Sequence, residues 1–175
     1  GGMGNAMLKN TGINIGKSIC DDDYKDLVVD ILEKSETHDC KIYYPLDVVV
    51  SKTLDGNPTT KELNEINNDE MILDIGPKTI SSIKNIINES STVLWNGPAG
   101  YFENPNFANG TKKILEIISD RRAEDKIYAV AGGGETVAVI NKFNKLDIFN
   151  FVSTAGGAFL EYLEGKELPG IKALN

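Results

Sequence analysis

The sequence holds a single histidine in 175 residues. His38 stands in the polar turn Thr37–Lys41 and is predicted to be solvent-exposed. One imidazole without partners makes no zinc site, and serine or cysteine nucleophile schemes lack their base. There are only two cysteines. Cys20 and Cys40 share no motif spacing, which fits a reducing compartment and a cytoplasmic location better than a disulfide framework. No apolar run approaches the length of a membrane span, and no signal peptide precedes the first helix, so neither a membrane nor a secreted protein is expected. Basic residues are the minority: Lys and Arg number 18 against 26 Asp and Glu, a net charge of −8. An acidic chain is a poor partner for nucleic acid or an anionic membrane. Two phosphate motifs are missing as well. No GxGxxG follows a strand with an acid some 20 residues on, and no GxxxxGK[ST] occurs anywhere.

What is present suits one globular domain. The length is enough to bury roughly two-thirds of the unfolded surface, and 41% of the residues are hydrophobic. The chain is organised around Ile127–Ile140, IYAVAGGGETVAVI. Ile127–Ala131 is a short apolar run of a buried parallel strand. Gly132, Gly133 and Gly134 break it, and Val137–Phe143 reads as a helix. Strand, glycine turn and helix start let backbone N–H groups approach an anion, and the helix dipole adds positive charge. Glu135 at that turn repels phosphate unless a cation such as Mg²⁺ lies between them. The plain alternative is a tight strand-to-helix turn with no ligand.

Other segments follow the same alternation. Asn5–Asn10 is a short helix, and Gly1-Gly2-Met3 reads as the end of a strand. Asp21, Asp22 and Asp23 supply an N-cap and first-turn acids for a helix over Tyr24–Glu36, with Leu27, Val28, Ile31 and Leu32 at helical spacing. Lys41–Tyr44 and Val48–Val50 are strand-like, and Lys52–Asn68 is a polar hairpin or excursion. Met71–Asp74 is a strand; Gly76-Pro77 opens a helix with the stripe Ile80, Ile83, Ile86 and Ile87. Thr92–Trp95 is a strand. Asn106–Asp120 is a helix with Ile114, Leu115, Ile117 and Ile118 inward. Phe149–Ser153 is the last strand, Ala158–Glu164 a helix, and Pro169-Gly170 bends the tail. The pattern predicts an α/β fold: a parallel sheet with helices on both faces, in three layers. No sequence repeat or low-complexity linker interrupts it.

Ligands in such sheets bind beyond the carboxyl ends of the strands. Four strands in a row, from Met71–Asp74 onward, end in glycine-containing turns: Ile75–Thr79, Asn96–Glu103, Gly132–Thr136 and Thr154–Gly157. Together they predict a cleft lined with N–H groups. Reading Glu103 and Glu135 as the acid and base of a glycoside hydrolase is disfavoured, because both sit beside phosphate-type turns.

The segments GGMGNAML, NIGKS, PLDVVV, LDIGPKT, VLWNGPAGYFE, AGGGETVA, FVSTAGGA and LEGKELPGIKAL, in this order, resemble the carboxy-terminal half of phosphoglycerate kinases. The resemblance covers essentially the whole chain. It implies a Rossmann-like, MgADP- or MgATP-binding domain over 1–175, with 165–175 returning to an amino-terminal domain of the same protein. That domain, the family's GG-x-K-V turn and its basic residues are expected to lie before Gly1. The implied reaction is glycolytic phosphoryl transfer between 1,3-bisphosphoglycerate and ADP, giving 3-phosphoglycerate and ATP, by a monomer that closes on its hinge. This stretch alone is expected to be inactive. By the resemblance, Gly1, Gly2 and Leu73 line the adenine pocket, Asn96 and Pro98 lie beside the nucleotide, and Glu103 holds the ribose hydroxyls. Gly132, Gly133, Gly134 and Thr136 sit by the phosphates, Glu135 serves Mg²⁺, and Gly156 and Gly157 face the transferred group. Three residues depart from the family's habit: Glu135 where Asp is usual, Ala155 where a glycine is common, and Ile72 where a glycine is frequent. The competing class is a non-catalytic adenine-nucleotide-binding module.

Overall fold

A computed structural model of the chain describes residues 1–20 and 24–174. The N-cap expected from Asp21, Asp22 and Asp23 therefore lies outside the described residues. The chain divides into two compact units. One holds residues 1–83 and 99–111, the other 84–98 and Lys112 onward.

The first unit opens with α1 (Gly2–Asn10) and α2 (Lys25–Thr37), which pack together. Gly1 is the N-cap of α1, so the expected strand end at Gly1-Gly2 is instead a helix start. Val28 is the buried member of the expected α2 stripe, while Leu27 is half exposed. Three strands then form one sheet in the order β2 (Thr59–Glu62), β1 (Asp47–Ser51), β3 (Met71–Ile75). Both pairings are antiparallel. The polar excursion after β1 is thus a hairpin, as expected, but β3 does not run in a parallel sheet. A short apolar run is compatible with either direction, and only the partner decides. Lys41–Tyr44 is not a strand either. Tyr43 is 57% exposed and Pro45 lacks a donor, so the run has neither a buried face nor a ladder. Val48, Val50 and Ile66 make the core of this sheet, with Ile13, Leu63 and Ile72 against them. Lys61 and the buried Glu70 form an ion pair at 2.9 Å, and the Asn67 N–H donates to the same carboxylate. Helix α3 (Pro77–Glu89) follows β3, with Pro at its first position as expected.

The second unit contains the parallel sheet, in the order β4 (Thr92–Asn96), β5 (Tyr128–Gly132), β6 (Phe151–Ser153), flanked by helices. Helix α4 (Asn109–Ala123) connects β4 to β5, and α5 (Gly134–Lys142) connects β5 to β6. The α4 stripe Ile114, Leu115, Ile117 and Ile118 is buried as its spacing predicts. The helix begins three residues later than expected because Pro105–Phe107 is a separate 3-10 turn capped by Asn104. Ala129 and Ala131 of β5 are fully buried, and Trp95 stacks on Phe149 at 6.0 Å. On the other face, Leu94, Val130 and Phe151 stand in register, and Leu94 and Phe151 are half exposed. Helices α6 (Gly157–Leu163) and α7 (Pro169–Lys172) close the chain.

Candidate functional site

Parallel pairing sets the carboxyl edge of the second unit's sheet. Asn96 of β4 is in register with Gly132 of β5, and Gly132 with Ser153 of β6. Each strand then meets a glycine in the left-handed half of backbone space: Gly97 at φ +99, Gly133 at +91 and Gly156 at +56. Gly133 is also constrained sterically, since a Cβ there would lie 2.5 Å from Asn96 Oδ1. Gly132 is closed against the ring of Phe159 from α6. Thr136, fully buried in the first turn of α5, accepts the Gly97 N–H at 2.6 Å. Its hydroxyl oxygen therefore pins the β4 turn to the β5 turn. Ser153 Oγ accepts the Ala155 N–H at 3.3 Å. Nothing lies within 4 Å of a Cβ at Gly134, Gly156 or Gly157.

Helix α5 starts on Gly133 with no side-chain cap, and its first-turn acid, Glu135, is exposed. A nine-residue helix with an uncapped glycine start carries partial positive charge on its first N–H groups. That is a setting for an oxyanion. Of the residues expected at the phosphates, Gly132, Gly133, Gly134, Glu135 and Thr136 form this turn, and Asn96 abuts it. Pro98 ends the β4 turn. Gly156 caps α6 and Gly157 is its first residue.

Gly1, Gly2, Leu73 and Glu103 belong to the first unit. Leu73 is 8% exposed, and its carbonyl accepts the Tyr101 N–H at 2.7 Å. Glu103 is exposed on the 99–111 segment. Two carboxylates that sequence reasoning assigned no role lie here, both about 1% exposed. Asp47 accepts the N–H groups of Lys78 at 3.0 Å and Thr79 at 2.8 Å and the Thr79 hydroxyl at 2.8 Å. It therefore caps α3 from a neighbouring strand. Gly76 has no room for a Cβ against that carboxylate. Asp74 accepts the N–H of Gly110 at 2.7 Å and of Ile75 at 2.9 Å. Burial pushes its carboxyl up to about 6, against the opposing pull of the Gly110, Ile75 and Asn109 N–H groups. The signal for both was an aspartate set in an apolar run, DVVV and MILDI.

Among the described residues, no three His, Cys, Asp or Glu side chains gather as a metal cage. The donor set at α5 is one carboxylate beside open backbone N–H groups. That suits Mg²⁺, which keeps its waters and takes one or two carboxylates together with phosphate oxygens.

A family model described as phosphoglycerate kinase matches residues 1–166. The chain belongs to the phosphoglycerate kinase family. It is 44% identical over 99% of its length to the phosphoglycerate kinase of Rhizorhabdus wittichii, and 45% identical over the same share to that of Francisella philomiragia. It spans only 44% of either relative. The solved structure of phosphoglycerate kinase from Coxiella burnetii matches all of this chain with a TM-score of 0.91 at 39% identity, and 45% of that protein is covered. The crystal structure of the Pyrococcus horikoshii OT3 phosphoglycerate kinase matches 98% of it with a TM-score of 0.78 at 29% identity, with 42% of that chain covered. Among the described residues, no helix is long and apolar enough to cross a membrane.

Proposed function

We propose that this chain supplies the nucleotide-binding part of a phosphoglycerate kinase, taking ADP or ATP with Mg²⁺. The observation that carries the reading is the uncapped start of α5 behind Gly133, in a chain matched by the family model over residues 1–166. Gly132, Gly133 and Gly134 offer backbone N–H groups to the phosphates, and Thr136 holds that turn in shape. Glu135 is the carboxylate for Mg²⁺, which when bound neutralises charge on the phosphates. Asn96 and Pro98 border the nucleotide, Gly156 and Gly157 face the transferred group, and Leu73, Gly1, Gly2 and Glu103 take the adenosine. In the whole protein the proposed reaction is reversible transfer of a phosphoryl group between 1,3-bisphosphoglycerate and ADP. Phosphoryl transfer asks for positioning and charge neutralisation more than covalent chemistry from the protein. The phosphoglycerate, its basic site on the amino-terminal domain, a monomeric state and a cytoplasmic location come with the same proposal.

Isothermal calorimetry of the 175-residue chain with MgADP tests it. Saturable binding is expected, with GDP or ADP lacking metal bound more weakly. Absence of heat at millimolar MgADP, with the chain folded by circular dichroism, overturns it. A coupled assay of the same chain with 3-phosphoglycerate and ATP is expected to show no turnover.

A further inference from the structure

The first unit's 99–111 segment is fastened at both ends by residues of the same unit. Thr111 Oγ1 accepts the N–H groups of Ala99 at 3.0 Å and Gly100 at 3.4 Å, and Thr111 is fully buried. At the same place the end of β3 takes hold of the segment twice. The Leu73 carbonyl accepts the Tyr101 N–H, and the Asp74 carboxylate accepts the Gly110 N–H. Gly100 and Gly110 both approach Asp74 so closely that neither has room for a Cβ. Phe107 is fully buried, and its carbonyl would also crowd a Cβ at Gly100. The Asn104 amide donates to the Leu54 carbonyl at 2.9 Å. Between these anchors stands Glu103, exposed.

A buried carboxylate is a costly way to make one cap, because its desolvation is offset only by the N–H groups it accepts. A backbone carbonyl or a serine would cap α4 without that cost. What the carboxylate adds is reach and two acceptor oxygens from one rigid strand. One oxygen is held by Ile75 next door and the other by Gly110, 36 residues away in sequence. The strand end and the loop thus share one side chain.

We propose that Asp74 is a positioning residue for Glu103: through Gly110 and Gly100 it sets the loop that presents that carboxylate to a ribose. The inference rests on the nucleotide reading above. Asp74 touches no ligand itself; it fixes where Glu103 stands.

The test compares Asp74→Asn with Asp47→Asn in the full chain, using MgADP and Mg-2′,3′-dideoxy-ADP as probes. The two aspartates are equally buried, but Asp47 caps α3 through Lys78 and Thr79, whereas Asp74 holds Gly110. In Asp74→Asn, MgADP affinity is expected to fall about tenfold, as for one lost hydrogen bond to a charged group, while affinity for the dideoxy analogue stays within about twofold. Asp47→Asn should leave the ratio of the two affinities unchanged. A purely structural role for Asp74 lowers both affinities together, and that result overturns the proposal. Glu103→Gln is the reference: if the parent chain shows no preference for the ribose hydroxyls, or Glu103→Gln keeps it, the ribose reading has failed and amide exchange decides the positioning. Exchange at Tyr101 and Gly110 should then rise in Asp74→Asn relative to Val50, and unchanged exchange overturns the proposal. Should Asp74→Asn not fold, Asp74→Glu carries both comparisons, since it keeps the charge and moves it by one methylene.

Discussion

Helices α3 and α5 both begin where a strand ends, one in each unit, and their first turns are completed in different ways. Asp47 reaches over from β1 and accepts the Lys78 and Thr79 N–H groups at the start of α3. Asp74 does the same for Gly110 at the start of α4. Those helix starts hold a carboxylate of their own. At α5 there is no side-chain cap; Gly133 stands at the N-cap, and the nearest acid, Glu135, is exposed. Every helix start seeks negative charge on its orphan N–H groups. Where the chain provides it internally, no external anion is needed. Where glycine leaves the start open, as at α5, the proposed phosphate would supply it. Helices α1, α2, α6 and α7 also start without a side-chain cap, so an open start alone does not single out α5; what α5 adds is its place at the carboxyl edge of the parallel sheet, between Asn96 and Thr136.

Breaking the internal cap should have the largest effect. Asp47→Ala leaves the buried Thr79 N–H and the part-buried Lys78 N–H without their acceptor, while the Thr79 hydroxyl keeps the residue-47 backbone carbonyl. Each buried unsatisfied group costs about 1–3 kcal/mol, so a loss of about 2–5 kcal/mol is expected. Urea denaturation at neutral pH measures it. A loss below about 1 kcal/mol would mean that water replaces the carboxylate and that the cap is ordinary.

The second internal cap should announce itself through pH. The Asp74 carboxyl titrates near 6 in the folded chain against 3.8 for the ordinary group. Its folded value is raised, so the folded state holds the proton more tightly than the unfolded one. Stability is therefore unaffected by this group below about pH 4, declines as pH rises from about 4 to about 6, and is flat above. The decline is at most about 3 kcal/mol. Asp74→Asn should remove that part of the slope. Denaturation midpoints of both proteins at half-unit pH intervals decide the matter, and parallel curves would show that Asp74 is not the titrating group.

Closing the open turn is expected to cost less in stability but to remove binding. Gly133 has φ +91 and ψ 143, and a Cβ there meets Asn96 Oδ1. Gly133→Ala should destabilise by about 1–3 kcal/mol. MgADP affinity should fall by more than the folded fraction accounts for. Gly134→Ala is the control: its Cβ meets nothing, so folding should survive. Binding retained in full by the folded Gly133→Ala protein would show that the turn does not hold the phosphates.

The sequence made the parallel half of this molecule readable because its signals are local. Glycine breaks follow β-rich runs, and the α4 stripe at Ile114, Leu115, Ile117 and Ile118 announces its buried face. The first unit was harder to read. Strand direction in β1–β3 depends on partners, not on composition, and Lys41–Tyr44 has the residues of a strand without a place in a ladder. The buried aspartates stand out in their apolar runs, but their partners were hidden for a related reason. Asp47 bonds a helix 32 residues ahead and Asp74 one 36 ahead. The reason for Gly132 lies at Phe159, in another helix. The family resemblance named Glu103, but only the structure reveals what holds its loop.

The smallest expected change in stability is at Glu135, and it asks the most specific question. As an acid in the first turn of α5, it interacts favourably with the helix dipole. Glu135→Gln should therefore cost only about 0.3–1 kcal/mol of stability. Its effect on binding has the opposite sign without metal and the same sign with it. A carboxylate beside the glycine turn repels a bare phosphate, and Mg²⁺ between the two converts repulsion into attraction. Metal-free ADP should then bind Glu135→Gln as well as the parent chain or better, while the gain on adding Mg²⁺ shrinks. Glu135→Asp keeps the charge on a shorter arm and should retain the metal dependence. Titrating the three proteins with ADP, with and without Mg²⁺ at fixed ionic strength, separates these outcomes. If the Gln variant keeps the whole Mg²⁺ gain, Glu135 serves only the helix dipole, and the metal is held by phosphate and water. The open turn would still be an anion site, but one that reads charge without reading metal.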